Sequence, residues 1–292
     1  MRFEQAPLLI IGALAAGSIV CGIACSSPTS ETNNPINPSI KNFEVNQTIK
    51  TLSKNFACEG EEAMFDDSLK TYSNVQLYVE WPNSLGGKNI APLQDSLVKA
   101  LCPDTVITGI DAALTTSASR PEGMNQFKIT AIDSIPQDKP SMVYSKMTSI
   151  TVKSFNPDYV VYKISNYTYS GGAHGINESH YINYDLNKGE ALNFEKIFVP
   201  GYEDLIIDKI KDALMEQYSV SSIEELQERG IFTDQLFVSH NIYLEGSDVV
   251  FHYNPYEIGP YSLGSINVYI PNYAINEILT PTARELLSKV IL

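Results

Sequence analysis

Ser141-Met142-Val143-Tyr144-Ser145-Lys146-Met147-Thr148-Ser149-Ile150-Thr151-Val152-Lys153-Ser154-Phe155, then Asn156-Pro157-Asp158, then Tyr159-Val160-Val161-Tyr162-Lys163-Ile164-Ser165-Asn166-Tyr167-Thr168-Tyr169, is the most strand-like stretch of the chain. β-branched and aromatic residues dominate both arms, and Asn-Pro-Asp is turn chemistry, so two paired strands are expected. Upstream, Val75, Leu77 and Val79 alternate with Gln76, Tyr78 and Glu80 at period two. Strands are therefore expected at 43–58 and 74–81. The segment 89–101 carries Ile90, Leu93, Leu97 and Leu101 on one helical stripe. From 104 to 136 the pattern is mixed and assigns no element.

Downstream, a strand at 180–186 closes in the turn Asn187-Lys188-Gly189. Leu205, Ile206, Ile210, Leu214 and Tyr218 space out a helix, and Ser221-Ser222-Ile223-Glu224 reads as the capping box of the next. Strands return at 236–244, 249–253 and 265–270, and a last helix is expected at 282–290 behind Pro281. Strands and helices come in blocks, which defines an α+β class: mainly antiparallel sheets with helices packed on them. Two closely associated subdomains are expected, at 43–155 and 156–292.

The N-terminus carries a separate message. No charged residue occurs from Ala6 to Cys25, and Arg2 precedes the apolar run. A charged start, an apolar middle and small residues before a cut make a secretory signal, here 1–24. Gly22-Ile23-Ala24-Cys25 resembles a bacterial lipobox, so Cys25 is expected to carry the lipid and tie the protein to a membrane. As an uncleaved helix, an apolar run of about 18 residues would reach roughly 27 Å, barely a bilayer core. Residues 25–42, rich in Ser, Thr, Asn and Pro, cannot bury a core and read as a flexible tether. Both readings send the rest of the chain across the membrane, into the cell envelope.

The formal charge of -14, from 34 acidic and 20 basic residues, opposes nucleic acid and favours a cationic partner. With Cys21 in the leader and Cys25 acylated, Cys58 and Cys102 remain, and an oxidising compartment favours their pairing. His174, His180, His240 and His252 lack the three- or four-residue helical spacing of metal ligands, and no Cys-x-x-Cys occurs. Neither a Gly-x-Ser-x-Gly elbow nor a phosphate-cradling glycine loop is present. No metal, cofactor or catalytic residue is expected.

Two segments stand apart. One is Tyr167-Thr168-Tyr169-Ser170-Gly171-Gly172-Ala173-His174-Gly175, running on to Asp185-Leu186-Asn187-Lys188-Gly189; the other is Phe251-His252-Tyr253-Asn254-Pro255-Tyr256-Glu257-Ile258-Gly259-Pro260-Tyr261. Tyrosines give rigid amphipathic contact area, so Tyr169, His174, Tyr253, Tyr256, Glu257 and Tyr261 form the candidate binding surface. Tyrosines packed at a sheet edge are the plainer alternative.

In that order, the two segments resemble the RsiV-like domain. This family takes its name from the extracytoplasmic part of a lysozyme-sensing anti-sigma factor, and it recurs in the non-catalytic region of PdaC-type peptidoglycan deacetylases. The similarity spans 157–279, and 43–155 resembles the companion N-terminal domain that usually precedes it. The resemblance implies the fold and the binding of a lysozyme-like hydrolase or of peptidoglycan glycan. It carries over neither the signalling nor the catalysis: only a few residues precede the apolar run, and no deacetylase domain follows. Two other readings are a wall-glycan or peptide hydrolase using Glu257 or His174 as acid/base, and a structural envelope component with no discrete ligand.

Overall fold

A computed structural model describes residues 43–60, 70–119, 121, 127–137 and 141–288. The leader, Cys25, the tether and positions 289–290 of the helix expected at 282–290 lie outside the described residues. The first half runs β1 (Val45–Glu59), β2 (Lys70–Leu85), α1 (Ala91–Leu101), α2 (Ile110–Ala118), β3 (Lys128–Ile132) and β4 (Ser141–Phe155). It continues through β5 (Tyr159–Tyr169), β6 (Ile176–Asp185) and β7 (Glu190–Leu192), giving a seven-stranded sheet of order β3-β1-β2-β4-β5-β6-β7.

Neighbours in this sheet are antiparallel except β2 and β4, which run parallel. A parallel pair needs a crossover, and the segment carrying α1 and α2 supplies it. Both helices pack on one face of the sheet. Leu93, Leu97, Ala113 and Leu114 meet Val75, Leu77, Val79 and Ile150 there in one buried cluster. Pro92 sits in the first turn of α1, where its missing N–H costs nothing.

The second half adds α3 (Phe194–Ile197), α4 (Glu203–Tyr218), α5 (Ile223–Glu228), β8 (Ile242–Glu245), β9 (Asp248–Tyr253), β10 (Ile266–Pro271), α6 (Asn272–Ile275) and α7 (Pro281–Ser288). Strands β10-β9-β8 form a three-stranded antiparallel sheet, which packs with these helices on the opposite face of the large sheet around β5 and β6. The architecture is α+β with mainly antiparallel sheets. Among the described residues no helix is long and apolar enough to cross a membrane.

β5 explains why the two halves cannot be drawn apart. Tyr159 and Val161 point into the core of the second half, while Val160, Tyr162 and Ile164 point into the core beneath α1 and α2. A strand buried on both faces reads as a continuous apolar run, and Tyr159-Val160-Val161-Tyr162 is one. The expected boundary at 155/156 falls in the turn between β4 and β5, which pair with each other in one sheet.

Three expectations need correction. The stretch 236–241 is no strand; β8 begins at Ile242, and side chains hold the preceding segment, with Ser239 Oγ donating to the His252 carbonyl at 2.8 Å. The capping box of α5 is shifted by one residue. Ser222 is the N-cap, accepting from Glu225 N, and Glu225 Oε2 accepts from Ser221 N at 2.7 Å. Cys58 and Cys102 lie in the same buried core, yet no disulfide joins them. Each thiol is engaged locally: burial pushes the Cys58 thiol up, and Cys102 Sγ lies 3.4 Å from the Ala113 carbonyl.

The two sheets are joined by polar as well as apolar contact. Asn183 on β6 is 3% exposed; its Nδ2 donates to Ile242 O at 2.7 Å and its Oδ1 accepts from Leu244 N at 2.9 Å. The side-chain amide thus stands in for a strand neighbour of β8. Asn183→Ala leaves a buried N–H and C=O unpaired and is expected to cost about 2–4 kcal/mol. The fall in urea midpoint at unchanged slope measures it, against exposed Asn187→Ala as reference.

Candidate functional site

The site is built where the β5–β6 turn meets the loop between β9 and β10. Gly171 and Gly172 take positive φ, 94° and 86°, and the Tyr169 hydroxyl donates to the Gly172 carbonyl at 3.0 Å, bracing the turn. At Gly175 a Cβ would come within 2.6 Å of the Tyr167 ring, so a larger residue would push that tyrosine aside. The chain thereby delivers His174 outward, immediately before β6 begins.

The other wall comes from 254–263. Asn254 N donates to Glu257 Oε2 at 2.8 Å and Glu257 N donates to Asn254 O at 3.2 Å, closing a tight turn. Inside it, Tyr256 adopts φ 74°, left-handed backbone that a side chain rarely enters. Pro260 then leads into a short 3₁₀ turn at Tyr261–Leu263.

The two walls meet ring to ring. His174 stacks on Tyr261 with centroids 3.8 Å apart and planes 15° apart. The Tyr261 hydroxyl donates to the Gly175 carbonyl at 3.0 Å, fixing the stack. Tyr256, 51% exposed, tilts against Tyr261 at 5.7 Å. The result is an aromatic platform in which His174 and Tyr256 are exposed and Tyr261 between them is half-buried.

Of the six residues expected at the surface, these three form the platform and two support it. Tyr169 braces the glycine turn and Glu257 closes the turn under Tyr256. Tyr253 stands elsewhere: it is fully buried, its hydroxyl donates to Phe237 O at 2.7 Å, and burial pushes its pKa up. It ends β9, the central strand of its sheet, which is buried on both faces.

Beneath the platform lies a polar network that sequence reading missed. β6 runs past the end of β7, so Ser179 has backbone groups at a sheet edge. Asn254 Oδ1 accepts the Ser179 N–H at 2.6 Å and Asn241 Nδ2 donates to the Ser179 carbonyl at 2.7 Å. His252, 2% exposed, sets Nε2 3.2 Å from Asn254 Oδ1 and Nδ1 2.7 Å from Asn267 Oδ1. Tyr181 packs edge-on to the imidazole at 5.1 Å. Burial holds the His252 pKa below its ordinary value, outweighing the hydrogen bonds to Asn267 and Asn254, which raise it. The one sequence signal for this network was Asn254 preceding Pro255, a turn marker. Among the described residues, no group of three or more His, Cys, Asp or Glu side chains is placed to hold a metal ion.

An α+β domain with an aromatic platform over a polar sheet joint is the class that fold and site define. Residues 195–273, which contain Tyr256 and Tyr261, match the family model DUF3298, a protein family of unknown function. Two solved structures share the fold. A DUF3298 family member from Bacteroides fragilis NCTC 9343 is 20% identical, with a TM-score of 0.65 over 84% of this chain and 97% of that one. A DUF3298 family protein from Pseudomonas aeruginosa PAO1 is 17% identical, with a TM-score of 0.52 over 80% and 95%. No curated protein matches the chain.

Three outcomes follow from this geometry. Tyr256→Gly relieves a left-handed cost of about 1–2 kcal/mol against a smaller gain in unfolded-state entropy, so the urea midpoint is expected to stay level or rise. Tyr253→Ala, by contrast, is expected to cost about 3–5 kcal/mol in the same assay. Because the folded-state pKa of His252 is depressed, the unfolded chain takes up its proton first. Stability is expected to decline as pH falls through about 6.5, the ordinary histidine value, and down to the folded pKa. In urea melts across that range, His252→Gln flattens this segment of the curve; an unchanged slope would contradict it.

Proposed function

We propose that the chain is an exported, lipid-tethered protein of the bacterial cell envelope that binds a cationic, lysozyme-type hydrolase, without catalysis of its own. The observation that carries this reading is the His174–Tyr261–Tyr256 platform, with His174 and Tyr256 exposed. It is a rigid aromatic surface, pinned by a hydrogen bond to backbone, and tyrosines are among the residues that most often anchor protein partners. Charge supports the kind of partner. The chain carries -14 overall, and α4 and α5 place Glu203, Asp204, Glu224 and Glu225 in their first turns. Such a field speeds the approach of a basic protein and weakens with salt. The resemblance of 157–279 to the RsiV-like domain supports the same partner, and the apolar leader with Cys25 supports the tether.

The platform's own chemistry fits binding better than hydrolysis. Glu257 Oε2 is taken up by the Asn254 N–H, and His174 Nδ1 lies 3.1 Å from the Gly175 carbonyl, so neither stands as a poised acid/base over a cleft. The test is retention of the full chain on immobilised lysozyme. Wild type is expected to be retained at low salt and released at high salt. Tyr261→Ala should weaken retention about tenfold or more, as hot-spot aromatics do, and Tyr202→Ala, exposed elsewhere, should not. No retention at low salt removes the lysozyme reading. Cys25→Ser is expected to release the protein from membranes without changing retention.

A further inference from the structure

We propose that the open face of the seven-stranded sheet, opposite α1 and α2 and beyond the second sheet, binds an uncharged, β-linked polysaccharide strand. This site does not depend on the reading of the aromatic platform, which it adjoins where its rows end on β5 at Tyr167 and Tyr169.

The pairing registers define the face. Leu52, Val75, Leu77 and Ile150 point toward α1 and α2, so alternate positions point to the other side. Three rows cross that side, starting on β1 at Thr51, Ser53 and Asn55 and running through the paired positions of β2, β4 and β5. None carries a charged side chain. The chain is 18% charged and strongly acidic, and this three-row tract carries none of that charge. It offers nothing to a polycation, which the acidic helices would draw instead. Nor does it offer anything to a polyanion, which the net charge repels.

What the rows do carry suits sugar. Asn74 Nδ2 donates to Asn55 Oδ1 at 2.7 Å, and Gln76 Nε2 donates to Asn74 Oδ1 at 2.6 Å, making a fixed ladder of amides across β1 and β2. Gln76 ends the ladder exposed, and among the described residues its Oε1 has no hydrogen-bond partner, so it remains an acceptor for a hydroxyl or acetamide. In the same row stand Met147, 43% exposed, opposite Gln76, and then Tyr167 opposite Met147. Tyr78 lies half-buried in the adjoining row. Amide, thioether and aromatic ring thus follow one another at the strand spacing of about 4.8 Å, close to the rise per sugar of an extended β-linked glycan laid across the strands. Apolar sugar faces rest on Met147 and the tyrosines while the amides meet the hydroxyl edges.

The test is titration of the full chain with chitohexaose and with cellohexaose by calorimetry, at low and high salt. Binding of at least one, unaffected by salt, is expected. Which of the two binds tells an acetamido-bearing glycan from a plain glucan. Gln76→Ala and Met147→Ala, both at exposed positions, should each weaken binding about tenfold, the worth of one good contact, while Tyr261→Ala leaves it intact. The proposal is overturned if neither oligosaccharide binds, or if binding falls with salt. It is equally overturned if Gln76→Ala changes nothing, or if sedimentation shows that Met147→Ala abolishes a dimer formed through this face.

Discussion

Burial of β5 on both faces is the constraint on which the remaining structure depends. Val160, Tyr162 and Ile164 close the core beneath α1 and α2, while Tyr159 and Val161 close the core shared with β8–β10. Each pair of layers needs the same strand as its wall, so neither half has a complete core alone. Fully burying one such side chain contributes about 1.5–3 kcal/mol, and the strand supplies five of them to two cores at once. The ladder to β4 on one side and β6 on the other holds it in place. Residues 45–155 and the second half, which holds the DUF3298 match, therefore pack against one shared strand.

A second sheet laid over an antiparallel sheet has a difficulty at its margins, because the strand edges carry backbone groups that must be satisfied. Here asparagine does it repeatedly. Asn183 takes a carbonyl and an N–H on the free edge of β8, while Asn241 and Asn254 take the two backbone groups of Ser179. These bonds set where the 254–263 loop leaves the sheet, and so where Tyr261 meets His174. The position of the platform is a consequence of edge chemistry in β6.

Much of the fold is legible because it is local. Val75, Leu77 and Val79 show their period directly, and the turn at Asn156 works as its composition implies, with Oδ1 accepting from Asp158 N and Tyr159 N. The 104–136 stretch yields nothing, since α2 buries Ala113, Leu114 and Ala118 in a short helix too weakly patterned to stand out. At 236–241 the apolar alternation of Leu236 and Val238 mimics a strand, yet tertiary bonds from Ser239 and Tyr253 fix the segment without a ladder. The parallel pairing of β2 with β4 is non-local and leaves no mark in either strand. At the site, the right segments were visible and their facing was not. Tyr253 and Tyr256 are three residues apart in one motif, and only the left-handed turn between Asn254 and Glu257 sends one inward and the other out.

Tyr256 is also where stability and surface chemistry part company. Its backbone conformation costs about 1–2 kcal/mol, and glycine would adopt it at no such cost. A ring that is 51% exposed recovers only part of that by burial, and its contact with Tyr261 is a tilted one at 5.7 Å. The conformation persists because both flanks over-determine it: Asn254 is held by Ser179 and His252, and Glu257 is held by Asn254. A strained backbone that presents an aromatic ring to solvent gains little for the fold. On the binding reading proposed above, its return lies in what the ring meets outside the molecule.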